Sequence, residues 1–370
     1  MRRSPGWHSP HFVNDPVVHE RSTGKPLMKT PRTTLFSAAL AALLLPALLV
    51  PAAATATPRS SEPTVSVLAS GLEGTTGSTI GPDGALYVPE AVTGEVTRID
   101  LRTGRTSTFA SGLPERVIDL GGAMDVAFIG RTAFVLVTLV GPDVGGADVN
   151  GLYRIDRAGT PTLVADIGAW NVANPPDTAF DVPSGLTFAL QTVRGGFLVT
   201  DGHLNRVLFV TVRGDIREVR AFGNTVPTGL ALFGRTVFLA EAGPVPHVPE
   251  DGRVIAFPVR GQGGEARTVA SGYSLLVDAE FNRCGGLFAL SQGDSPGQVP
   301  AGAPALPDSG ELLKANRNGT FSVVAAGLDL PTSLEFRKNT AYVVTLGGDV
   351  LRIDNASPKK DCGKFGHFGR

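Results

Sequence analysis

Short apolar segments rich in Val, Leu, Ile and Phe recur along the chain from about residue 62, and turns of Gly, Pro, Asp and Asn separate them. This alternation predicts a series of β-strands joined by tight turns. One phrase repeats at intervals of roughly 41 to 55 residues. Its six copies are VLASGL (67–72), TFASGL (108–113), LVADIG (163–168), VRAFG (219–223), TVASGY (268–273) and VVAAGL (323–328). Such a spacing is typical of one four-stranded propeller blade per copy.

Three further strand-like segments fit in a fixed order between these copies. The first set is GSTI, MDVAFI, SGLTFAL, TGLALF, VDAEF and TSLEF; ALYVPE and EVTRIDL begin the second and third sets. The sequence therefore predicts an all-β fold, a six-bladed β-propeller of four-stranded blades over residues 57–355. The last set lacks a fourth strand, whereas an extra strand, VSVLASGL, precedes the first. We expect this N-terminal strand to join the last blade and close the ring.

The N-terminal segment is predicted to direct export. An apolar run, LFSAALAALLLPALLV (35–50), follows basic residues and precedes an A-x-A cleavage pattern at 54–56. We interpret residues 28–56 as a cleaved signal peptide and the mature protein as secreted, extracellular and without a membrane span. A membrane anchor is the alternative, but the run is shorter than the roughly 20 residues that cross a bilayer.

Two further segments flank these predicted parts. Residues 1–27 are polar, lack hydrophobic periodicity and end directly before Met28, where a signal peptide would itself begin. We predict that translation starts at Met28 and that residues 1–27 are a non-native N-terminal extension. Residues 356–370 are predicted to form a C-terminal tail after the last strand.

Composition excludes several classes of protein. With 46 Gly, 28 Pro and 42% hydrophobic residues, the chain is too apolar for a disordered protein and too rich in turn residues for a helical bundle. Past Ala56 it carries 27 basic and 32 acidic residues, a net charge of −5, with no run of Lys or Arg. Proteins that neutralise phosphates need clustered cations, so nucleic acid is not an expected partner.

The phrases SGL, GPDGALYVPE (81–90) and DGHLNRV (201–207) resemble NHL-type propellers. Residues 62–355, together with the signal peptide, resemble the ScyD/ScyE family, which is named after proteins of the scytonemin pigment cluster. The resemblance implies a secreted six-bladed propeller and supplies no catalytic residues. Gluconolactonase-like, strictosidine-synthase-like and streptogramin-lyase-like proteins have a similar build, and some of them bind a divalent metal near the central channel. One fold hosts many functions, so these likenesses are analogies.

Long insertions are predicted on one face of the ring, where second strands lead to third strands and blades connect. They are residues 138–150, 169–183, 241–251 and 291–309. Loops that a rigid scaffold positions around a channel often carry binding sites. The alternative is that these loops are tolerated surface insertions.

Acidic residues are predicted at the channel mouth on this loop-rich face. Glu90, Asp201 and Glu241 end second strands, and Asp125 and Asp278 lie near the start of inner strands. Converging carboxylates bind hard cations through oxygen, so Glu90, Asp201 and Glu241 are candidate ligands for a divalent cation such as Ca²⁺. The alternative is that each acid is a solvated turn cap, and no other cofactor is indicated.

Aromatic and polar side chains of the same loops are candidate ligand-binding residues. They are Trp170, Asn171, Asn174, His203 and Asn205. Trp170 offers a stacking surface beside two hydrogen-bonding amides, and a neutral His203 can act as a base or a ligand. The alternatives are that Trp170 packs over the ring, that Asn205 stabilises a blade turn and that His203 is solvated.

Cys284 and Cys362 are the two cysteines of the chain. Cys284 is predicted in the first turn of blade five, and Cys362 follows the third strand of blade six, so both are expected on the same face of adjacent blades. Because an exported chain enters an oxidising compartment, we predict a disulfide between them that clamps the C-terminal tail.

The sequence points to no single reaction, because it has no H-E-x-x-H motif, no Walker loop and no G-x-G-x-x-G motif. We predict a non-catalytic extracellular binding or accessory protein, monomeric, that captures a small molecule or an extracellular protein partner on its loop-rich face. The alternative is a metal-dependent lactonase-like or lyase-like enzyme whose site lies at the mouth of the central channel.

Overall fold

A computed structural model describes the part of the chain that was predicted to form the propeller. The described residues are 62–177, 181–259, 265–297 and 303–357. All of them belong to one compact unit, Arg59–Arg370. The predicted N-terminal extension, the signal peptide and most of the tail lie outside the described residues. Within those residues, no helix is long and apolar enough to span a membrane.

The described residues form 24 strands, in the order that the repeat predicts. The first strand and blades I to III comprise β1 (Thr64–Ala69), β2 (Thr79–Ile80), β3 (Leu86–Glu90), β4 (Glu95–Ile99), β5 (Thr106–Ala110), β6 (Gly122–Ile129), β7 (Thr132–Thr138), β8 (Gly151–Ile155), β9 (Pro161–Asp166), β10 (Thr187–Val193), β11 (Gly196–Asp201), β12 (Arg206–Thr211) and β13 (Ile216–Ala221). Blades IV to VI comprise β14 (Pro227–Phe233), β15 (Thr236–Glu241), β16 (Arg253–Pro258), β17 (Arg267–Ser271), β18 (Leu276–Phe281), β19 (Leu287–Ser291), β20 (Gly310–Ala315), β21 (Phe321–Leu328), β22 (Pro331–Arg337), β23 (Thr340–Thr345) and β24 (Val350–Asp354).

Six antiparallel sheets of four strands confirm the predicted six-bladed β-propeller. In blades I to V the four strands are consecutive, and in blade VI the order is β22, β23, β24 and then β1. Thr64 of β1 pairs with Asp354 of β24, and Val67 pairs with Leu351. The predicted closure by the N-terminal strand is therefore confirmed, and the first and last strands share one sheet.

Two short helical segments lie in predicted insertions. A 3-10 helix, Pro142–Val144, lies between β7 and β8, and helix α1, Ile167–Ala173, connects blade II to blade III. Asp166 caps α1, because its carboxylate accepts a hydrogen bond of 2.7 Å from the backbone amide of Ala169. Both segments lie on the face formed by second-to-third strand loops and blade connections, which we call the connection face. The opposite face, formed by the tight turns, we call the turn face.

Apolar side chains pack between neighbouring blades. Tyr87 and Val135 belong to the cluster between blades I and II, and the Tyr87 ring lies edge-on to Phe109 and Phe128 at 4.9 and 4.8 Å. Five further clusters fill the other five blade interfaces. Burial of these strand faces fixes the blades against one another and holds the inner strands around a common axis.

The inner strands share a local irregularity near their first residues. In β6, β10, β14, β18 and β22 the pairing with the second strand shifts register at this point. Such a bulge changes the direction in which the following side chain projects. Asp125 of β6 and Asp278 of β18 directly follow the shift. The bulge therefore positions both carboxylates.

Cys284 lies in the turn between β18 and β19, as predicted, but Cys362 lies outside the described residues. The disulfide stays a prediction. We expect iodoacetamide to leave the mass of the denatured, unreduced protein unchanged, because both sulfurs would be in the disulfide. Reduction before alkylation should add two carbamidomethyl groups, whereas two modified thiols without reductant would rule the disulfide out.

Candidate functional site

The inner strands of all six blades line a cavity of about 240 Å³ on the axis of the ring. Four carboxylates face it: Asp125 from β6, Asp278 and Glu280 from β18, and Glu335 from β22. None of the described residues that line this axial cavity is Lys, Arg or His. Among the described residues, no basic side chain in the cavity offsets the electrostatic repulsion between the four acids.

Asp125 and Asp278 each bridge two adjacent blades. Asp125 accepts hydrogen bonds of 2.8 Å from the amide of the next residue and of 2.7 Å from Leu190 of blade III. Asp278 makes the equivalent pair, at 2.8 Å to the next amide and 2.8 Å to Leu334 of blade VI. Hydrogen bonds from two amides satisfy these buried acids and tie the inner strands together.

Glycines make room for both acids. A Cβ atom at Gly77 of blade I would collide with the Asp125 carboxylate, and one at Gly229 of blade IV would collide with Asp278. Blades I to III thus repeat the arrangement of blades IV to VI. The axial site has an approximate two-fold pattern within the six-bladed ring.

Burial raises the pKa values of all four acids, because the charged form loses its hydration. The pKa of Asp278 rises to about 7, although the amides of Leu334 and Ala279 oppose this rise. Burial and the charge of Asp278 raise the pKa of Glu335 to about 8. The pKa values of Asp125 and Glu280 lie well above their usual range for the same first reason, with repulsion from neighbouring acids added.

Asp125 and Asp278 were singled out from the sequence, whereas Glu280 and Glu335 were not. The missed signal is the acid near the end of VDAEF (277–281) and TSLEF (332–336). Alternate residues of a strand share one face, so Glu280 must follow Asp278 toward the axis. The sequence alone does not show which strand of each blade lies innermost, and only an innermost strand can direct Glu280 to the axis.

The three predicted metal ligands lie at the ends of second strands in three different blades. Glu90 accepts hydrogen bonds from the amide of Glu73, at 2.8 Å, and from the Thr97 hydroxyl. Glu241 is fully buried and pairs with Arg253. Within the described ranges, no three His, Cys, Asp or Glu side chains are grouped as metal ligands. Their role in binding a divalent cation stays a prediction.

Asp201, the third predicted metal ligand, belongs to a buried network with several of the predicted ligand-binding residues. The Asn171 amide donates to Asp201 at 2.8 Å and to the backbone of Ser184 at 2.8 Å. Arg206 donates to the Asn171 side-chain oxygen and to the backbone oxygen of Asn174, both at 2.8 Å. The structure therefore brings Asp201, Asn171 and Asn174 together around an arginine that sequence reasoning did not select.

Trp170 completes this network, since the Arg206 guanidinium lies over its ring at 5.1 Å from the centroid. Arg206 is only 2% exposed and is the largest fully buried side chain of the described residues. The network attaches α1 and the loop after it to blade III.

Asn205 and His203 lie in the turn after β11. The Asn205 side-chain oxygen accepts from the amides of Thr225 and Val226, at 2.9 and 2.8 Å. His203 accepts from the amide of Val182 at 3.3 Å. Both side chains thus hold loop backbone in place, and ligand binding by either of them stays a prediction.

The loop after β19 contains one sequence match to a catalytic motif. GDSPG (293–297) fits the G-x-S-x-G pattern of a nucleophile elbow, which requires a sharp strand-to-helix turn. These residues follow β19 in irregular structure, and the Ser295 hydroxyl donates to the backbone oxygen of Pro246. The match therefore lacks the geometry of an elbow.

The fold is that of a six-bladed β-propeller, and its structural neighbours include a gluconolactonase and a lyase. No family model and no curated protein matches the sequence. A gluconolactonase from Xanthomonas campestris is similar with a TM-score of 0.55 and 13% identity, over 78% of this chain and 89% of that one.

Two other solved structures show the same fold. Virginiamycin B lyase from Staphylococcus aureus has a TM-score of 0.50 and 13% identity, over 79% of this chain and 99% of that one. The PQQ-bound aldose sugar dehydrogenase from Streptomyces coelicolor has a TM-score of 0.50 and 15% identity, over 80% of this chain and 99% of that one. At such identities the likeness establishes the fold alone.

Proposed function

We propose that the protein is a ligand-binding propeller whose axial cavity takes a small cationic ligand such as an amine. The observation that carries this proposal is the convergence of four carboxylates on a cavity with no basic residue in its described lining. A cavity of about 240 Å³ is smaller than the pockets that bind drug-sized molecules. A ligand with few heavy atoms fits this volume.

Proton exchange should accompany binding. The pKa values of about 7 for Asp278 and about 8 for Glu335 leave these carboxyls partly or mainly protonated near neutral pH. A cation favours the ionised form, so an amine that enters the cavity should displace protons. Each ammonium group can then donate hydrogen bonds to the carboxylates that it has ionised.

We expect putrescine to bind the mature protein at pH 7 with release of protons. Titration calorimetry in two buffers of different ionisation enthalpy measures this release. The variant Glu280→Gln/Glu335→Gln removes two of the four carboxylates and should weaken binding by about tenfold or more, since buried charge-assisted hydrogen bonds are among the stronger polar contacts.

The matched control is Glu250→Gln/Glu265→Gln, which removes two exposed acids that do not line the cavity. This control should bind putrescine as the parent protein does. Equal weakening by both double variants would show general electrostatic attraction instead of a site. Absence of binding by putrescine and by ethylamine would overturn the proposal.

A second candidate function is acid–base catalysis in the same cavity, as in a lactonase-like or lyase-like enzyme. Carboxyls with pKa values of about 7 and 8 can donate and accept protons near neutral pH, which is the property that general acid–base catalysis uses. The similarity to a gluconolactonase and a lyase agrees with this alternative at the level of the fold. Turnover of a lactone that is lost in Glu280→Gln/Glu335→Gln would favour it over simple binding.

We also propose four properties that the sequence predicts. They are membership of the ScyD/ScyE family, export after cleavage near residue 56, a monomeric extracellular state and an accessory or capture role on the connection face. The apolar run at 35–50 supports export, and the SGL phrases support the family resemblance. The N-terminal sequence of protein recovered from the culture medium tests the export step.

A further inference from the structure

The repeat places basic residues at one end of the axial channel. The turns between first and second strands all lie on the turn face, because every blade is antiparallel and has the same order. Five of these six turns carry an arginine in the turn or directly beside it: Arg131, Arg194, Arg235, Arg283 and Arg337. These arginines are separated by tens of residues in the sequence. A search for linear basic runs therefore cannot detect them.

Two of these five arginines, Arg283 and Arg337, line a groove on the turn face. A cavity of about 1220 Å³ on the turn face is lined by residues of blades I, IV, V and VI, among them five cationic side chains. They are Arg102, Arg283, Arg337, Lys338 and Arg352. No Asp or Glu occurs among the described residues that line this basic groove. The described lining of the groove is therefore basic, although residues 57–370 carry a net charge of −5.

Internal acids offset part of this charge, since Asp100 interacts with Arg102. Arg352 forms a salt bridge of 3.0 Å with Asp354, and Arg337 donates to the backbone oxygen of Gly84 at 3.2 Å. The side chains of Arg283 and Lys338 are exposed and make no hydrogen bond or salt bridge to another described residue. At least two cations thus remain for an external anion.

The composition of the predicted C-terminal tail does not favour it as the source of that anion. Cys284 lines the groove, so the predicted disulfide to Cys362 would tether the tail beside it. The segment PKKDCGKFGHFGR (358–370) has four Lys or Arg residues and one Asp. A tail of this composition, tethered there, would add positive charge to the turn face.

We propose that the basic groove binds a linear anionic glycan that carries carboxylate or sulfate groups. Arginine pairs well with planar and tetrahedral oxyanions, and several cations that line one groove suit a chain of repeated anionic groups. Single-stranded nucleic acid also carries repeated anions, but proteins hold its bases on exposed aromatic rings. Two aromatic residues line the groove: Tyr342 is only 5% exposed, and Phe233 packs against Phe281 with their ring centroids 4.8 Å apart. These observations favour a glycan over a nucleic acid.

We expect the mature protein to bind heparin and polygalacturonate with an affinity that falls as salt is raised. The test variant is Arg102→Gln/Arg283→Gln/Lys338→Gln, which removes three groove cations. Its affinity should fall by about tenfold or more in roughly 0.1 M salt, and the slope of log affinity against log salt should decrease by about two to three.

The matched control is Arg154→Gln/Arg157→Gln/Arg213→Gln, which removes three exposed cations of blades II and III that are not among the five turn arginines. It should retain its affinity within about twofold, because none of the three lines the groove. Thermal melting of both triple variants checks that they fold. Equal losses in the two variants, or no binding of either glycan, would overturn the proposal. Tighter binding of oligo-dT of the same charge would assign the groove to nucleic acid.

Discussion

The variant Arg206→Met is expected to lose about 3–5 kcal/mol of unfolding free energy, because it removes the cation from a buried polar network. Arg206 hydrogen-bonds Asn171 and Asn174, and its positive charge lies near the fully buried Asp201. Burial raises the pKa of Asp201, and the Arg206 charge is among the effects that oppose this rise. Methionine fills similar space, so the loss would come from unpaired polar groups and not from a cavity.

Urea unfolding followed by tryptophan fluorescence measures this loss, and the melting temperature should fall by about 10 °C. Arg217→Met is the control. Arg217 also lies over an aromatic ring, at 4.7 Å from the centroid of Phe209, but its side chain is exposed. We expect a change below about 1 kcal/mol there. Similar losses in both variants would mean that the network around Arg206 adds nothing beyond a cation–aromatic contact.

The repeat pattern predicted the blades and the closure because every blade must bury the same two strand faces against its neighbours. A strand such as ALYVPE therefore carries the same apolar positions as its counterparts in other blades. The N-terminal strand was predictable for a related reason: only its addition completes blade VI. These are local patterns that repeat, so a single sequence displays them.

The polar sites were less predictable because their geometry depends on contacts between distant segments. Asn171 and Asn205 were selected as ligand-binding residues, yet in the structure their amide groups are used by Arg206 and by loop backbone. Loop composition alone does not show whether an amide faces solvent or the protein. The same reason hid Glu335, which approaches Asp278 only when blade VI packs against blade V.

The basic groove shows the same limit for charge. Arg102 and Lys338 are more than 230 residues apart in the sequence and line one cavity. The net charge is a sum over both faces of the ring, so it does not show how charge is distributed between them. Only the circular order of the blades brings blade I beside blade VI and so assembles these cations.

The axial acids should make the folded protein less stable as the pH rises. Asp278 and Glu335 have pKa values of about 7 and about 8 in the folded protein, and ordinary values of 3.8 and 4.5 in an unfolded chain. The folded state therefore binds these protons more tightly. The stabilisation is complete below about pH 4 and is lost as the pH rises through the two folded pKa values. Asp125 and Glu280 act in the same direction.

Between pH 4 and pH 9 we expect the unfolding free energy to fall by about 3–6 kcal/mol, since each unit of pKa difference is worth about 1.4 kcal/mol and water in the channel reduces the full effect. Urea unfolding at a series of pH values measures this change. Glu280→Gln/Glu335→Gln should flatten the profile, because two of the four axial carboxyls no longer titrate. Glu250→Gln/Glu265→Gln should leave it unchanged. A parent protein that gains stability over this range, with the same gain in Glu280→Gln/Glu335→Gln, would contradict this prediction.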